Sequence, residues 1–95
     1  MYVWLDDERP APDGWVHVRS VPLLMSLFPK VDVISLDHDL GKDELTGYDF
    51  LRWLEVQVGM GRVTRIPEIR LHTANPVGRK NMELVISSIR RLLPV

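Results

Sequence analysis

Ninety-five residues make one domain rather than two, and a chain that is 45% hydrophobic and 26% charged has the composition of a globule with a single core. Twelve basic residues against 13 acidic ones leave a formal charge of −1, which excludes a general attraction to nucleic acid or membrane, so any anion binding has to be local. The absence of cysteine excludes disulfides, thiolate nucleophiles and cysteine-ligated zinc together, and no run approaches the roughly 18 apolar residues of a membrane helix. The first residues are strand-like and acidic, unlike a basic segment leading into an apolar stretch. The expectation is one cytoplasmic domain over residues 1–95, with no extended nucleic-acid surface and no membrane contact.

In chain order, Tyr2 to Leu5 is a short apolar run that reads as a buried strand, and Arg9-Pro10-Ala11-Pro12-Asp13-Gly14 is a loop. Val16, His17, Val18 and Arg19 alternate as a half-buried or edge strand does, with His17 expected toward solvent. Ser20 is placed to cap a helix starting near Val21-Pro22, whose apolar face of Leu23, Leu24, Leu27 and Phe28 stops at Pro29. Val31 to Leu36 returns to β-branched residues, and Leu40 to Thr46 is a polar loop. Thr46 and Asp49 have the spacing of a capping box ahead of Phe50, Leu51, Leu54 and Val58, in a helix ending near Gly59 or Gly61. Pro67 precedes a third buried strand, Glu68 to Leu71. Asn75-Pro76 then opens a final helix with Met82, Val85, Ile86, Ile89 and Leu93 on its core face, ending near Pro94. This β-(β)-α-β-α-β-α order predicts a small doubly wound α/β domain with a mostly parallel sheet.

Three of the apolar runs are followed at once by chemistry: Asp6-Asp7-Glu8-Arg9, Asp37-His38-Asp39, and His72-Thr73-Ala74-Asn75. Parallel strands would carry all three clusters to the carboxyl edge of one sheet, where open α/β folds build their sites. Carboxylates gathered there raise each other's pKa unless a hard divalent cation sits among them, so Asp6, Asp7, Asp37 and Asp39 are the candidate metal ligands, for magnesium or manganese. The competing reading of Asp6 to Glu8 is a solvated loop corner. His38 is a candidate metal ligand, acid or base, or loop cap. His72 and Arg79 fall at the last strand-to-helix junction, where Asn75, the free amides and the Arg79 guanidinium make a candidate anion site. Arg9 either neutralises the acid pair or contacts a substrate phosphate. Tyr48, Trp4 and Trp53 are expected in the core and Trp15 partly exposed.

Four runs in this order resemble one family: Trp4-Leu5-Asp6-Asp7-Glu8-Arg9-Pro10, Ser35-Leu36-Asp37-His38-Asp39-Leu40-Gly41, Thr46-Gly47-Tyr48-Asp49, and His72 through Met82. Together they are similar to the cyclic-phosphate processing receiver-like domain of bacteria and phages, across nearly the whole chain. The resemblance implies a receiver-type, flavodoxin-like fold in which Asp6 and Asp7 are the acidic metal pair, Asp37 the phospho-acceptor and Thr73 the hydroxyl residue near the phosphate. An ordinary receiver continues through a further strand bearing a lysine and a last helix, and this sequence has no counterpart of either; Lys42, on the loop over the site, is the candidate to supply that charge.

The activity so expected is metal-dependent hydrolysis of a cyclic phosphate, such as a cyclic nucleotide or a 2′,3′-cyclic RNA end. In it Asp37, His38 and His72 are catalytic, Arg9, Lys42, Thr73, Asn75 and Arg79 hold phosphate, and the carboxylates hold the metal. The alternatives are a truncated receiver phosphorylated on Asp37 that acts on a protein partner, and a binding protein that sequesters a nucleotide without turnover.

Overall fold

A computed structural model of the chain describes residues 1–93; Pro94, expected at the end of the last helix, lies outside the described residues. Four strands, β1 (Tyr2–Leu5), β2 (Val16–Val18), β3 (Val33–Leu36) and β4 (Glu68–Leu71), form an all-parallel sheet in the order β2-β1-β3-β4. Helices α1 (Val21–Leu27), α2 (Gly47–Gly59) and α3 (Pro76–Leu92) follow β2, β3 and β4, and a 3-10 turn at Phe28–Lys30 extends α1. This is the small parallel α/β architecture that the element order predicts and the receiver-like fold that the resemblance implies, but all three helices contribute to one core on one face of the sheet, so it is not doubly wound.

Strand alternation divides the sheet into two unlike faces. Val3, Leu5, Val18, Ile34 and Leu36 are buried on one face and share a core with Leu24 of α1, Phe50, Leu51 and Leu54 of α2, and Met82, Ile86 and Ile89 of α3. The crossovers from β2 to β3 and from β3 to β4 step the same way across the sheet, so right-handed connection puts their helices on the same side. The opposite face carries Tyr2, Trp4, His17, Ser35 and Arg70, and the link from β1 to β2, residues 6–15, contains no helix. That link lays the ring of Trp15 over the face. Trp15 meets Tyr2 and Trp4 edge-on at centroid distances of 5.3 and 6.0 Å, and Trp4 Nε1 donates to the Arg9 carbonyl at 3.1 Å. Trp4, expected in the core, is instead half-buried on this second face.

Local expectations meet the structure unevenly. The capping box is present in both directions: Asp49 N donates to Thr46 Oγ1 at 3.1 Å and Thr46 N to Asp49 Oδ2 at 2.8 Å. Ser20 occupies the cap position of α1 without a side-chain hydrogen bond, and Leu23 is exposed because the short helix turns Val21 and Leu24 inward instead. β4 is half-exposed, since it lies at the sheet edge and not between neighbours. Leu40 is buried, so the polar loop is anchored at its first residue. No helix is long and apolar enough to cross a membrane among the described residues.

Candidate functional site

The carboxyl ends of β1 and β3 place Asp6 and Asp37 side by side, because Leu5 and Leu36 are register partners. Asp37 N donates to the Leu5 carbonyl at 3.0 Å and so continues the ladder past the strand ends. Both acids are buried. Each is fixed by one oxygen: Asp6 Oδ1 accepts from the amides of Glu8 and Arg9, both at 2.9 Å, and Asp37 Oδ1 accepts from the amide of His38 at 2.8 Å. The other oxygens share the guanidinium of Arg9, with Nε 3.0 Å from Asp6 Oδ2 and one terminal nitrogen 3.3 Å from Asp37 Oδ2. The other terminal nitrogen of Arg9 donates to the His72 carbonyl at 2.9 Å, so one half-exposed cation ties three strand ends together.

His72 lies beneath this centre on the aromatic face. Its ring stacks on Trp4 with centroids 3.7 Å apart and planes 5° from parallel. Nε2 is 3.1 Å from Asp6 Oδ2, and Nδ1 is 2.6 Å from Ser35 Oγ. Burial lowers the His72 pKa from the usual histidine value, and the hydrogen bond and charge of Asp6 only partly oppose it. The ring is thus neutral at pH 7, with Nε2–H donating to Asp6 and Nδ1 accepting from Ser35. For Asp6 burial acts against the charged form. The Glu8 and Arg9 amides, the His72 ring and the Arg9 charge outweigh it, holding the carboxyl below its ordinary range. His17, expected toward solvent, is half-buried with Nε2 2.7 Å from the Asp6 carbonyl, which braces the same strand end.

Above the acids opens a cleft of about 420 Å³ lined by Asp6, Asp7, Arg9, Asp37, Asp39 and Thr73, among others. Thr73 is buried and its Oγ1 accepts from the amide of Asn75 at 3.1 Å. Asn75 caps α3 by accepting from the amide of Gly78 at 2.9 Å, and its Nδ2 reaches Asp39 at 3.3 Å. Asp39 is exposed; the hydrogen bond from His38 Nδ1 at 2.9 Å leads the effects that lower its pKa.

Three residues expected at the site lie elsewhere: Arg79 and Lys42, expected at the phosphate, and His38, expected to be catalytic. Arg79 turns from the cleft: its guanidinium donates to the Leu71 carbonyl at 3.0 Å and faces Glu83 at 3.9 Å. The amides of Glu68 and His72 bond to β3, so alternation turns the polar groups of Leu71 to the free edge of β4, and Arg79 satisfies one of them. The ring of His38 packs on Gly78, where an added Cβ would lie 2.6 Å from ring carbons, and it does not line the cleft. Lys42 is exposed and likewise outside the lining, whereas its neighbour Gly41 belongs to it.

The donor set fits a divalent cation. Asp6, Asp37 and His72 each offer one ligand atom, and these atoms lie within 4.8 Å of one another; Asp7 and Asp39 line the cleft but stand outside that trio. Ser35 has no role among the sequence-based expectations: it opens one of the runs that carry the resemblance and otherwise shows only as one polar residue inside the apolar run Val33-Ile34-Ser35-Leu36.

Comparison with curated proteins and with solved structures gave no match. A family model, that of the cyclic-phosphate processing receiver domain, matches residues 1–88. That span contains both strand-end carboxylates, Arg9, His72 and the capped start of α3, and the chain belongs to the cyclic-phosphate processing receiver domain family.

Proposed function

We propose that the cleft binds a cyclic phosphate, either a cyclic nucleotide or a 2′,3′-cyclic RNA end, and hydrolyses it to the monoester with the help of a divalent cation. The observation that carries this reading is Arg9: a half-exposed guanidinium resting on the two carboxylate oxygens that a metal ion would use, at the wall of an open cleft. Asp6 and Asp37 would hold the ion, with Asp7 at the rim. When bound, the ion supplies positive charge to the ester and makes water more acidic. They would hold it by the oxygens that Arg9 contacts, so a guanidinium displaced from them would be free to turn into the cleft and take phosphate oxygens in bidentate fashion. Thr73 Oγ1 accepts from a backbone amide and has its hydroxyl hydrogen left to donate to the ester. The remaining oxygens of Asp6 and Asp37 stay pinned by amides, which keeps both carboxylates oriented throughout.

The test is incubation of the purified domain with cyclic mono-, di- and trinucleotides and with cyclic-phosphate-ended RNA, in magnesium or manganese, with products separated by mass. A linear monoester formed by wild type and not by Asp37→Asn supports the reading. Tight binding with the ligand recovered intact identifies a sequestering protein instead. Labelling of Asp37 by a small phosphodonor, with no turnover of any cyclic phosphate, identifies a signalling receiver.

A further inference from the structure

Resting on the reading that the acidic centre holds a divalent cation, we propose that His72 is a ligand of that ion through Nε2. The site then selects a first-row transition ion of the Fe2+, Co2+ or Zn2+ class over Mg2+, and Ser35 and Trp4 are its positioning residues. Three parallel strands each end in one donor: β1 in Asp6, β3 in Asp37 and β4 in His72. The trio that the fold gathers is two carboxylates and an imidazole, and not the all-oxygen set of Asp6, Asp7, Asp37 and Asp39. Carboxylates suit magnesium, whereas an imidazole nitrogen suits the later first-row ions.

The ring is held as a ligating histidine is held. Trp4 clamps its plane, and the nitrogen remote from the carboxylates has a fixed partner in Ser35 at 2.6 Å. The choice of a hydroxyl matters. A backbone carbonyl in that place would accept only, locking Nδ1 as the protonated nitrogen. Ser35 donates to Nδ1 while Nε2–H points to Asp6, and by rotating its hydroxyl accepts from Nδ1–H when Nε2 gives its lone pair to an ion. Ser35 is 3% exposed, so it does not reach a ligand in the cleft itself. His72 is absent from the cleft lining, which favours contact with the ion over proton transfer to substrate.

The experiment is calorimetric titration of the whole domain with Zn2+, Co2+ and Mg2+. Mixed nitrogen and oxygen sites prefer zinc to magnesium whatever their composition, so the quantity read is the change in the zinc-to-magnesium affinity ratio among variants. That ratio should fall at least tenfold in His72→Gln and about tenfold in Ser35→Ala, and stay level in His38→Gln. Co2+-loaded wild type should show a hyperfine-shifted, exchangeable imidazole N–H resonance that His72→Gln lacks. Should His72→Gln fail to fold, Ser35→Ala and the presence or absence of the shifted resonance decide. An unchanged ratio in both variants, with Asp37→Asn still abolishing binding, overturns the assignment of His72 and leaves the metal reading standing. Failure of wild type to bind any of the three ions overturns both.

Discussion

The carboxyl ends of β1 and β3 and the junction of β4 with α3 lie at one edge of the same sheet, and both carry polar residues of the same types. At the first, Asp6 and Asp37 satisfy backbone amides with one oxygen and keep the other for Arg9 and, in Asp6, for His72 as well. At the second, nearly every polar group answers a backbone need: Asn75 caps α3, Thr73 accepts from Asn75, and Arg79 satisfies a carbonyl of the free strand edge. A helix start and an unpaired strand edge both leave orphan backbone groups, and the nearest side chains are taken up by them. Where the ladder itself continues past the strands, as from Leu5 to Asp37, side chains remain for chemistry.

The most severe break in this contrast is Gly47→Ala. A Cβ there would lie 2.0 Å from the Asp37 carbonyl oxygen, with backbone on both sides, so the start of α2 must move off the site. Urea unfolding should show a loss of about 3 kcal/mol, the top of the usual overpacking range. Asp6→Ala should cost roughly 2–3 kcal/mol in the same assay, because it strands two amides and the His72 ring in a buried place. A loss below about 0.5 kcal/mol would place Asp6 outside the framework.

The two arginines sharpen the comparison directly. Arg9→Ala should weaken phosphate-ester binding by roughly 1.5–3 kcal/mol, the worth of a hydrogen bond to a charged group, measured by equilibrium titration. Arg79→Ala should leave that binding level and lower stability by about 0.5–1.5 kcal/mol through the lost bond to Leu71. The reverse pattern would show that Arg79 turns into the cleft when ligand arrives.

A pH series separates His72 from its surroundings. Its folded pKa lies below the ordinary histidine value of 6.5, so between those two pKa values the unfolded chain binds more protons than the folded one. Stability contributed by the neutral ring is then fully present above about pH 6.5 and is lost as pH falls through the folded value. Asp6, also lowered, adds a second loss below the ordinary aspartate value of 3.8. In metal-free buffer the melting temperature of wild type should drop on acidification below pH 6.5 more steeply than that of His72→Gln. Identical slopes would mean that the buried ring does not titrate with unfolding. The smallest effect belongs to Lys42→Ala. An exposed side chain outside the cleft lining should change stability by less than about 0.5 kcal/mol, and ligand binding should weaken only if the loop closes over the cleft. Slower hydrogen exchange across residues 41–45 with ligand present would report such closure.

What the sequence determined by itself is local or repetitive. The strand runs, the Thr46–Asp49 capping box, the Asn75 cap and the core stripe of α3 depend on residues within one turn or one strand of each other, and the structure contains them all. The convergence of Asp6, Asp37 and His72 also follows from parallel strands ending in polar residues, which spacing alone reveals. Tertiary structure decided how those groups are used. Whether Arg79 faces a phosphate or the carbonyl of Leu71 depends on β4 being the outer strand, and no local pattern in Glu68 to Leu71 distinguishes an outer strand from an inner one. The partnership of Ser35 with His72 spans 37 residues and arises because β3 pairs with β4 in one particular register. Trp4 leaves the core for the same kind of reason: alternation puts it on the face that the three helices do not cover, and there it stacks on the ring of His72.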